Sequence, residues 1–392
     1  MELGRIKQTI LAELETHSKG LIELSLRIHA NPELGYEEVK ASNWLTEYLE
    51  KNGFKIERNI AGLPTAFRAS YGKCNPVVAM VAEYDALPNI GHGCGHNIIA
   101  AAAVGAAVAA KVAVDRIGGT ILVMGCPAEE KLGGKVIMVD KGAFDRIDVA
   151  MMVHPKGQIS PVGTRSLAMV NLEVEFWGKS SHAAAAPWDG INALDALILA
   201  FNNINALRFI MKERNRISGI INDGGKYPNV VPEHAAGTFM IRSPDNYGLE
   251  GLRERVMNCF KAAALATGTR MEHRWGLRVS PMRNDPGLVQ LWRANMKSLG
   301  QDVAEIAENP GGSTDMGNVS LVVPSIHPSI AISSQEVPAH TSEFAAAAGS
   351  NEGMKAMIVG GKALAMTAAD VIGRSEFLAR IKEEFNNTKQ SE

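Results

Sequence analysis

The sequence lacks the features that mark several classes of protein. Four cysteines in 392 residues are too few for a disulfide-dense scaffold. Lysine and arginine total 40 against 42 aspartate and glutamate residues, without the basic surplus of a general nucleic-acid binder. The longest uninterrupted apolar run, 98–110, is shorter than the about 20 residues of a transmembrane helix. Charges throughout residues 1–20 are unlike a signal peptide. These absences predict a cytoplasmic protein that binds neither nucleic acid nor membrane.

The composition is that of a globular protein, with 46% hydrophobic and 21% charged residues. The length corresponds to about two to three domains. Short apolar runs at 77–82, 120–124 and 149–153 read as buried strands, and the Ala-rich segment 98–114 reads as a buried helix. Strands that alternate with a helix in this way predict an α/β fold with a mostly parallel sheet.

The pattern changes near residue 168. Periodicity then predicts four strands and two helices, in the order 170–176, 191–211, 217–221, 236–241, 249–266 and 270–275. Strand-helix-strand-strand-helix-strand is the order of a ferredoxin-like α+β unit. Helical and loop patterns resume after about residue 280. The sequence therefore predicts a discontinuous catalytic domain, 1–167 plus 280–392, with a second domain, 168–279, inserted in it.

Side chains able to bind a metal follow each apolar strand. Cys94 and His96 come after the first strand, Glu129 and Glu130 directly after the second, and His154 after the third. In open α/β sheets, ligands bind beyond the carboxyl ends of the strands. We therefore expect these side chains to converge on one crevice.

Local features add to this expectation. A helix that begins after Asn97 would point its positive end at Cys94 and favour the thiolate. The adjacent Glu129 and Glu130 suit a metal ligand next to a general base that acts on water. His340, in a late polar segment beside Glu343, is a further candidate.

Each of these residues also has an ordinary structural explanation. Cys94 could be a small buried hydrophobe. The Glu129–Glu130 pair could be a solvated acidic pair, and His154 a hydrogen-bonded residue at a strand end. Only the combination of the segments favours metal chemistry.

The inserted domain and a late loop contain further candidates. His182, in a loop of small residues, could stabilise an oxyanion or be merely exposed. Arg242, at a strand end, could bind a carboxylate through two hydrogen bonds or form a surface ion pair. Asn229 belongs to a second cluster, 229–232, and the Gly-rich polar loop 311–317 could line a pocket.

Several segments, taken in order, closely resemble an enzyme family. They are Asp85-Ala86-Leu87-Pro88, Gly93-Cys94-Gly95-His96, Pro127-Ala128-Glu129-Glu130, Ser181-His182-Ala183 and His340-Thr341-Ser342-Glu343-Phe344. The family is that of the co-catalytic di-metal amidohydrolases and peptidases, which includes aminoacylase, carboxypeptidase G and p-aminobenzoyl-glutamate hydrolase. Within it, the chain is similar to the branch with a Cys in the first metal motif, shared with the plant auxin-conjugate hydrolases. The resemblance extends from His29 to Phe344.

The resemblance implies a set of roles for these residues. The ligands of two divalent ions would be Cys94, His96, Glu130, His154 and His340. The remaining roles would be general base for Glu129, support of the ligands for Asp85, oxyanion stabilisation for His182, and substrate contact for Asn229 and Arg242. The inserted domain would be a lid and the dimerisation surface of a homodimer.

Two residues depart from the family pattern. Asn97 stands where many Cys-containing relatives have Asp, and Glu83 stands where other branches have a metal-binding His. Neither change removes a ligand of this branch, but the metal stays open. Zn²⁺ or Mn²⁺ is expected, with Co²⁺ and Ni²⁺ as alternatives, since selectivity depends on geometry and supply.

The expected function is metal-dependent hydrolysis of an amide bond. The substrate would be a small N-acyl amino acid, an aminobenzoyl-glutamate-like conjugate or a dipeptide, with Glu129 as general base. In a rival mechanism, Cys94 acts as a nucleophile with His96, but residues two apart rarely provide such a pair and an orienting third group. The other alternative is a non-catalytic protein, either a small-molecule-binding or a partner subunit, that keeps the fold.

Overall fold

A computed structural model of the chain describes residues 2–131, 133–306 and 312–389, so Gly311 of the polar loop lies outside the described residues. The chain divides into two compact units, Met1–Arg165 with Met282–Glu392, and Ser166–Pro281. The sequence places the corresponding boundaries at 168 and 279.

The helices and strands follow one another in three runs. The first run is α1 (Glu2–His29), α2 (Val39–Lys51), β1 (Lys55–Arg58), β2 (Phe67–Gly72), β3 (Val77–Glu83), α3 (His96–Ile117), β4 (Thr120–Cys126), α4 (Gly134–Asp140), β5 (Val149–Met151) and β6 (His154–Lys156). The second unit contains β7 (Ala168–Trp177), α5 (Ala193–Arg208), β8 (Arg216–Asp223), β9 (His234–Ser243), α6 (Asn246–Thr267) and β10 (Arg270–Val279). The first unit resumes with α7 (Pro286–Ser298), α8 (Met316–Ser320), β11 (Ser325–Ile326), β12 (Ser329–Ala331), α9 (Ser342–Ala348), α10 (Asn351–Gly373) and α11 (Ser375–Lys389).

The first unit is built on a six-stranded sheet in the order β1-β2-β4-β3-β5-β11. Strands β4, β3, β5 and β11 are parallel, whereas β1 and β2 pair antiparallel at one edge. Both faces of the sheet are covered. Val78 and Met80 of β3 belong to the core that includes α3, and Ala79 and Val81 belong to a separate core that includes residues of α4 and α8. The predicted α/β fold with a mostly parallel sheet is confirmed.

The third apolar run, 149–153, does not form the single strand that its composition predicts. Only 149–151 form β5. The chain then leaves this sheet, and His154 opens β6, which pairs with β12 in a separate two-stranded sheet. The pairing with β12, remote in sequence, is a tertiary contact that local periodicity does not report.

Helix α3 is the central helix of the first unit. Small side chains let its neighbours approach closely: a Cβ on Gly105 would lie 2.6 Å from Leu21 Cδ1 of α1. By length and composition, α3 and α10 could each cross a membrane, but 89% and 72% of their most apolar windows are buried inside the fold. Such burial is typical of core helices.

The second unit is an antiparallel sheet in the order β10-β7-β9-β8. Helices α5 and α6 contribute to its core together with the inward residues of the sheet, among them Phe176, Phe239 and Phe260. The order β7-α5-β8-β9-α6-β10 is the predicted ferredoxin-like arrangement.

Candidate metal centre

The carboxyl ends of the parallel strands bring the predicted ligands together. The sulfur of Cys94 lies 3.4 Å from Nε2 of His154, and with His96 these residues place three ligand atoms within 4.8 Å of one another. The adjacent strands β3, β4 and β5 end at this edge, as expected for an α/β crevice.

A second group of ligand atoms overlaps the first. Cys94, Glu130 and His340 also have ligand atoms within 4.8 Å of one another. Nε2 of His340 lies 3.6 Å from one oxygen of Glu130, and Nε2 of His96 lies 3.9 Å from the other. All five predicted ligands therefore lie in two groups that share Cys94, an arrangement that suits two ions.

Backbone turns hold these ligands in place. Gly95 has φ +74° and no space for a side chain, because a Cβ there would lie 2.5 Å from Cγ of Pro155. It precedes α3, which begins at His96 and not after Asn97 as the sequence suggested. His340 also has a positive φ, 66°, and its amide donates to the carbonyl of Gly93 at 2.8 Å.

Asp85 orients two of the ligands. Its Oδ1 accepts a hydrogen bond from Nδ1 of His96 at 2.9 Å, and its Oδ2 accepts one from the amide of Glu130 at 2.9 Å. Burial alone would raise the pKa of Asp85, but His96 and the Glu130 amide hold that pKa below its ordinary value. An ionised Asp85 fixes the proton on Nδ1 of His96 and leaves Nε2 free for an ion.

The chemistry of the donors fits divalent metal ions. Nε2 of His96 and Oε1 of Glu130 are buried without a hydrogen-bond partner among the described residues. Nδ1 of His154 donates to the carbonyl of Pro155 at 2.7 Å, so its Nε2 faces Cys94 as an acceptor. Buried polar atoms without partners are costly, and a cation bound to sulfur, nitrogen and carboxylate donors would satisfy them.

Burial shifts the titration of the candidate groups. It raises the pKa of Cys94, and it lowers the pKa of His154 to about 3 with help from His327. Burial also raises the pKa of Glu129, to which the nearby carboxylates of Glu83 and Asp315 add. The buried thiol of Cys94 resists ionisation and needs a nearby cation to become a thiolate ligand. A carboxyl group with a raised pKa, as in Glu129, suits a general base.

Three residues of this crevice had no role in the sequence interpretation. They are Glu83, Asp315 and Lys135. The two carboxylates and that of Glu129 place ligand atoms within 4.8 Å of one another, and Lys135 contacts Glu83 and Asp315. Asp315 lies in the loop 311–317 that was noted as polar, and Glu83 as a departure from the family pattern. Nothing in the sequence pointed to Lys135, because a lysine at a helix start normally faces solvent.

In the second unit, His182 and Asn229 lie on neighbouring segments. The amide of Ala183 donates to the carbonyl of Asn229 at 3.0 Å. Nδ1 of His182 accepts from the amides of Ala184 and Ala185 at 3.2 and 3.1 Å. Its proton therefore sits on Nε2, which an oxyanion donor requires.

Arg242 lies in β9, directly opposite Arg216 of β8. Burial lowers the pKa of its half-buried guanidinium. Its Nε has no hydrogen-bond partner, and no ion pair of Arg242 occurs within the described ranges. Of the two sequence interpretations, a carboxylate-binding group therefore fits better than a surface ion pair.

Comparisons with known proteins agree with this geometry. The sequence profile of the Peptidase family M20/M25/M40 matches residues 79–365. The chain is 38% identical over 414 residues to the Xaa-Arg dipeptidase of Mus musculus, covering 100% of this chain and 94% of that protein. It is 36% identical over 282 residues to one subunit of the p-aminobenzoyl-glutamate hydrolase of Escherichia coli (strain K12), covering 67% of this chain and 59% of that protein.

Solved structures share the fold. The aminobenzoyl-glutamate utilization protein from Klebsiella pneumoniae superimposes with a TM-score of 0.74 at 19% identity, covering 91% of this chain and 97% of that one. A dinuclear metal-binding peptidase of the M20 family from Bacillus subtilis gives a TM-score of 0.70 at 20% identity, covering 92% and 99%. At these identities the likeness shows the fold alone.

Proposed function

The chain belongs to the peptidase family M20/M25/M40 and is a metal-dependent amide hydrolase, and we propose that it cleaves dipeptides with a basic carboxy-terminal residue. The resemblance stated from its motifs is thereby confirmed as to family. The alternative of a non-catalytic subunit is not supported, because the similar proteins are named as a dipeptidase, a hydrolase subunit and a deacetylase.

The observation that carries the proposed substrate is the extent of the match to one relative. The Xaa-Arg dipeptidase aligns with the whole of this chain, and 94% of its own length is covered. The match to the aminobenzoyl-glutamate hydrolase covers 59% of that protein's length. Similarity that covers both units supports a dipeptide more strongly than an aminobenzoyl-glutamate conjugate.

The proposed ligands of two divalent ions are Cys94, His96, Glu130, His154 and His340. Their closeness in two overlapping groups supports this assignment. Zn²⁺ or Mn²⁺ is the proposed metal, with Co²⁺ and Ni²⁺ as alternatives. When bound, such ions polarise the scissile carbonyl and lower the pKa of water.

The chain's own residues would complete the reaction. Glu129 would take a proton from the attacking water and pass it to the leaving amine, a role that its raised pKa supports. Nε2 of His182 would donate to the oxygen of the scissile carbonyl. Arg242 would pair with the carboxylate of the substrate, and Asn229 would contact the substrate beside His182.

Nucleophilic attack by Cys94 is the less favourable mechanism. Its sulfur does lie near an imidazole, 3.4 Å from His154. Burial, however, raises the pKa of the thiol and lowers that of the imidazole. Both shifts oppose a thiolate–imidazolium pair of Cys94 with His154. For His96, the partner in the rival mechanism, burial lowers the pKa but Asp85 and Cys94 together hold it above its ordinary value. Its Nδ1 is bound to Asp85, so the raised pKa of the thiol is the argument against that pair.

The proposed assembly is a homodimer through the second unit, in the cytoplasm. The edge strand β8 supports the dimer, since Ile220 and Ile221 are 62% and 47% exposed there and an exposed edge invites pairing. Light scattering on the purified protein tests it. The scarcity of cysteine supports the cytoplasm, which fractionation of the source cells tests.

The experiment that tests the proposed function compares substrate classes on one protein. The chain is stripped with a chelator, reloaded with Mn²⁺ or Zn²⁺, and assayed with Xaa-Arg, Xaa-Lys, Xaa-Ala and Xaa-Glu dipeptides, N-acetyl amino acids and p-aminobenzoyl-glutamate. We expect the highest kcat/KM for Xaa-Arg and Xaa-Lys. A clear preference for p-aminobenzoyl-glutamate or an N-acetyl amino acid would contradict the dipeptide proposal.

A further inference from the structure

A lysine is fully buried next to the proposed general base. Nζ of Lys135 lies 2.7 Å from Oε1 of Glu83 and 2.5 Å from Oδ1 of Asp315. All three side chains are at most 1% exposed. The ion network has no access to solvent and therefore is not a surface salt bridge.

The backbone holds Lys135 in this position. Its amide donates to Oδ2 of Asp315 at 2.8 Å, so one carboxylate binds both ends of the residue. A Cβ on the preceding Gly134 would lie 1.7 Å from the carbonyl oxygen of Pro127. This close approach fixes the start of α4 against the segment that carries Glu129.

The network also reaches the proposed metal centre. Oε2 of Glu83, the other oxygen of the carboxylate that binds Lys135, lies 3.5 Å from Nε2 of His96. Glu83, Glu129 and Asp315 place oxygens within 4.8 Å of one another, as carboxylates around a cation do. The ammonium of Lys135 already contacts two of the three.

We propose that Lys135 is a tethered third cation of the centre: its ammonium fills the cation position formed by Glu83, Asp315 and Glu129, limits the centre to two metal ions, and positions the carboxylate of Glu129. The last of these three roles rests on the proposed function of Glu129 as general base. Lys135 is thus a positioning residue, since it acts through Glu129 and not on the substrate.

Charge balance explains why the lysine is required there. Without the ammonium, Glu83 and Asp315 would be two buried anions beside Glu129, and uncompensated buried charges are strongly unfavourable. A divalent ion from solution would be the available replacement, because carboxylate oxygens suit such ions. If Lys135 formed only a structural ion pair, its replacement would change neither the number of bound metal ions nor kcat relative to KM.

The test removes the charge while keeping an unbranched side chain of nearly the same length. Lys135→Met, the charge-balanced Lys135→Met/Asp315→Asn, and the control Lys141→Met are loaded with Mn²⁺ alone, and bound metal is measured by mass spectrometry. Lys141 is an exposed lysine that directly follows α4. We expect two equivalents of Mn²⁺ in the wild type, the control and the double variant, and three in Lys135→Met.

Kinetics test the positioning of Glu129. We expect kcat of the double variant to fall at least about tenfold with KM changed less than about twofold, as for a small displacement of a catalytic group. The control Lys141→Met should match the wild type in both constants. If Lys135→Met fails to fold, the double variant should fold, because its buried charges balance.

Several outcomes would overturn the inference. They are a folded Lys135→Met with two equivalents of Mn²⁺, a double variant with unchanged kcat, and a double variant no more stable than Lys135→Met. The proposed function is judged separately. If Glu129→Gln is inactive while the Lys135 variants behave as wild type, only this inference is wrong. If Glu129→Gln is active, Glu129 is not the general base and the proposed mechanism itself is wrong.

Discussion

Nδ1 of His96 donates to Oδ1 of Asp85 across 2.9 Å, and both side chains are fully buried. The other oxygen of Asp85 accepts from the amide of Glu130 at 2.9 Å. One carboxylate thus sets the direction of an imidazole and of the backbone that carries a second proposed ligand. Such supporting residues tune metal affinity without touching the metal.

Asp85→Asn should weaken metal binding. The amide keeps the shape of the side chain, but it lacks the negative charge that strengthens the hydrogen bond from Nδ1 of His96. We expect the Kd for the more weakly bound Mn²⁺ to rise about 10- to 100-fold, measured by competition with a chelator. Asp115→Asn, an exposed carboxylate that accepts from Tyr71, is the control. An unchanged Kd in Asp85→Asn would show that the proposed support does not act on the metal.

Glu129→Gln should abolish turnover and keep the metal. The amide can neither take the proton of water nor deliver it to the leaving amine, and general acid–base catalysis contributes about 10²- to 10⁴-fold. Mass spectrometry should find the same number of metal ions as in the wild type, because Glu129 is not a proposed ligand. Glu130→Gln is the matched comparison, and it should lose metal. Activity within about twofold of the wild type in Glu129→Gln would refute the assignment.

The residues of the crevice differ in how far the sequence could predict them. Cys94, His96, Glu129, Glu130 and His154 follow apolar runs, so the rule that parallel strands end at one edge was enough to place them together. His340 follows no predicted strand. Its polar segment made it a candidate, but only the family resemblance implied that it is a metal ligand.

Tertiary contacts explain what could not be predicted. Lys135 is buried because Gly134 packs on the carbonyl of Pro127 and Asp315 meets it from a loop 180 residues away. The break after Met151 depends on pairing of β6 with β12. Neither contact has a local sequence pattern, since each joins segments far apart in the chain.

Metal affinity should fall as the pH falls. Burial raises the pKa of Cys94, so without metal the thiol holds its proton and binding of an ion must release it. Lower pH favours the protonated form, and each proton released costs up to about tenfold in apparent affinity per pH unit. Since burial lowers the pKa of His154 to about 3, this imidazole stays neutral and adds no slope between pH 6 and pH 8.

Chelator competition at several values between pH 6 and pH 8 measures this slope. Proton release, followed by calorimetry in buffers of different ionisation enthalpy, gives an independent count. Cys94→Ser is the comparison, and it should bind metal more weakly with a smaller slope. Affinity independent of pH in the wild type would mean that Cys94 is not a ligand.

Gly125→Ala should destabilise the first unit. Gly125 lies in β4 beneath the ring of Phe67, and a Cβ there would come within 2.6 Å of three ring carbons. Because Phe67 is fully buried, the ring has little room to move, and overpacking of this kind costs about 1–3 kcal/mol. Gly4→Ala, at an exposed helix position with no atom near the new Cβ, should leave stability unchanged or slightly higher. Denaturant unfolding compares the two variants, and equal stabilities would contradict the packing argument.

His182→Ala should lower kcat more than it raises KM. Because backbone amides donate to Nδ1 of His182, the Nε2 proton is the donor that would meet the developing oxyanion. An interaction that strengthens in the transition state affects kcat, and loss of one oxyanion donor costs about 10²- to 10³-fold. His273→Ala, on β10 of the same unit, is the control and should behave as the wild type. A rise in KM alone for His182→Ala would instead assign this residue to substrate binding.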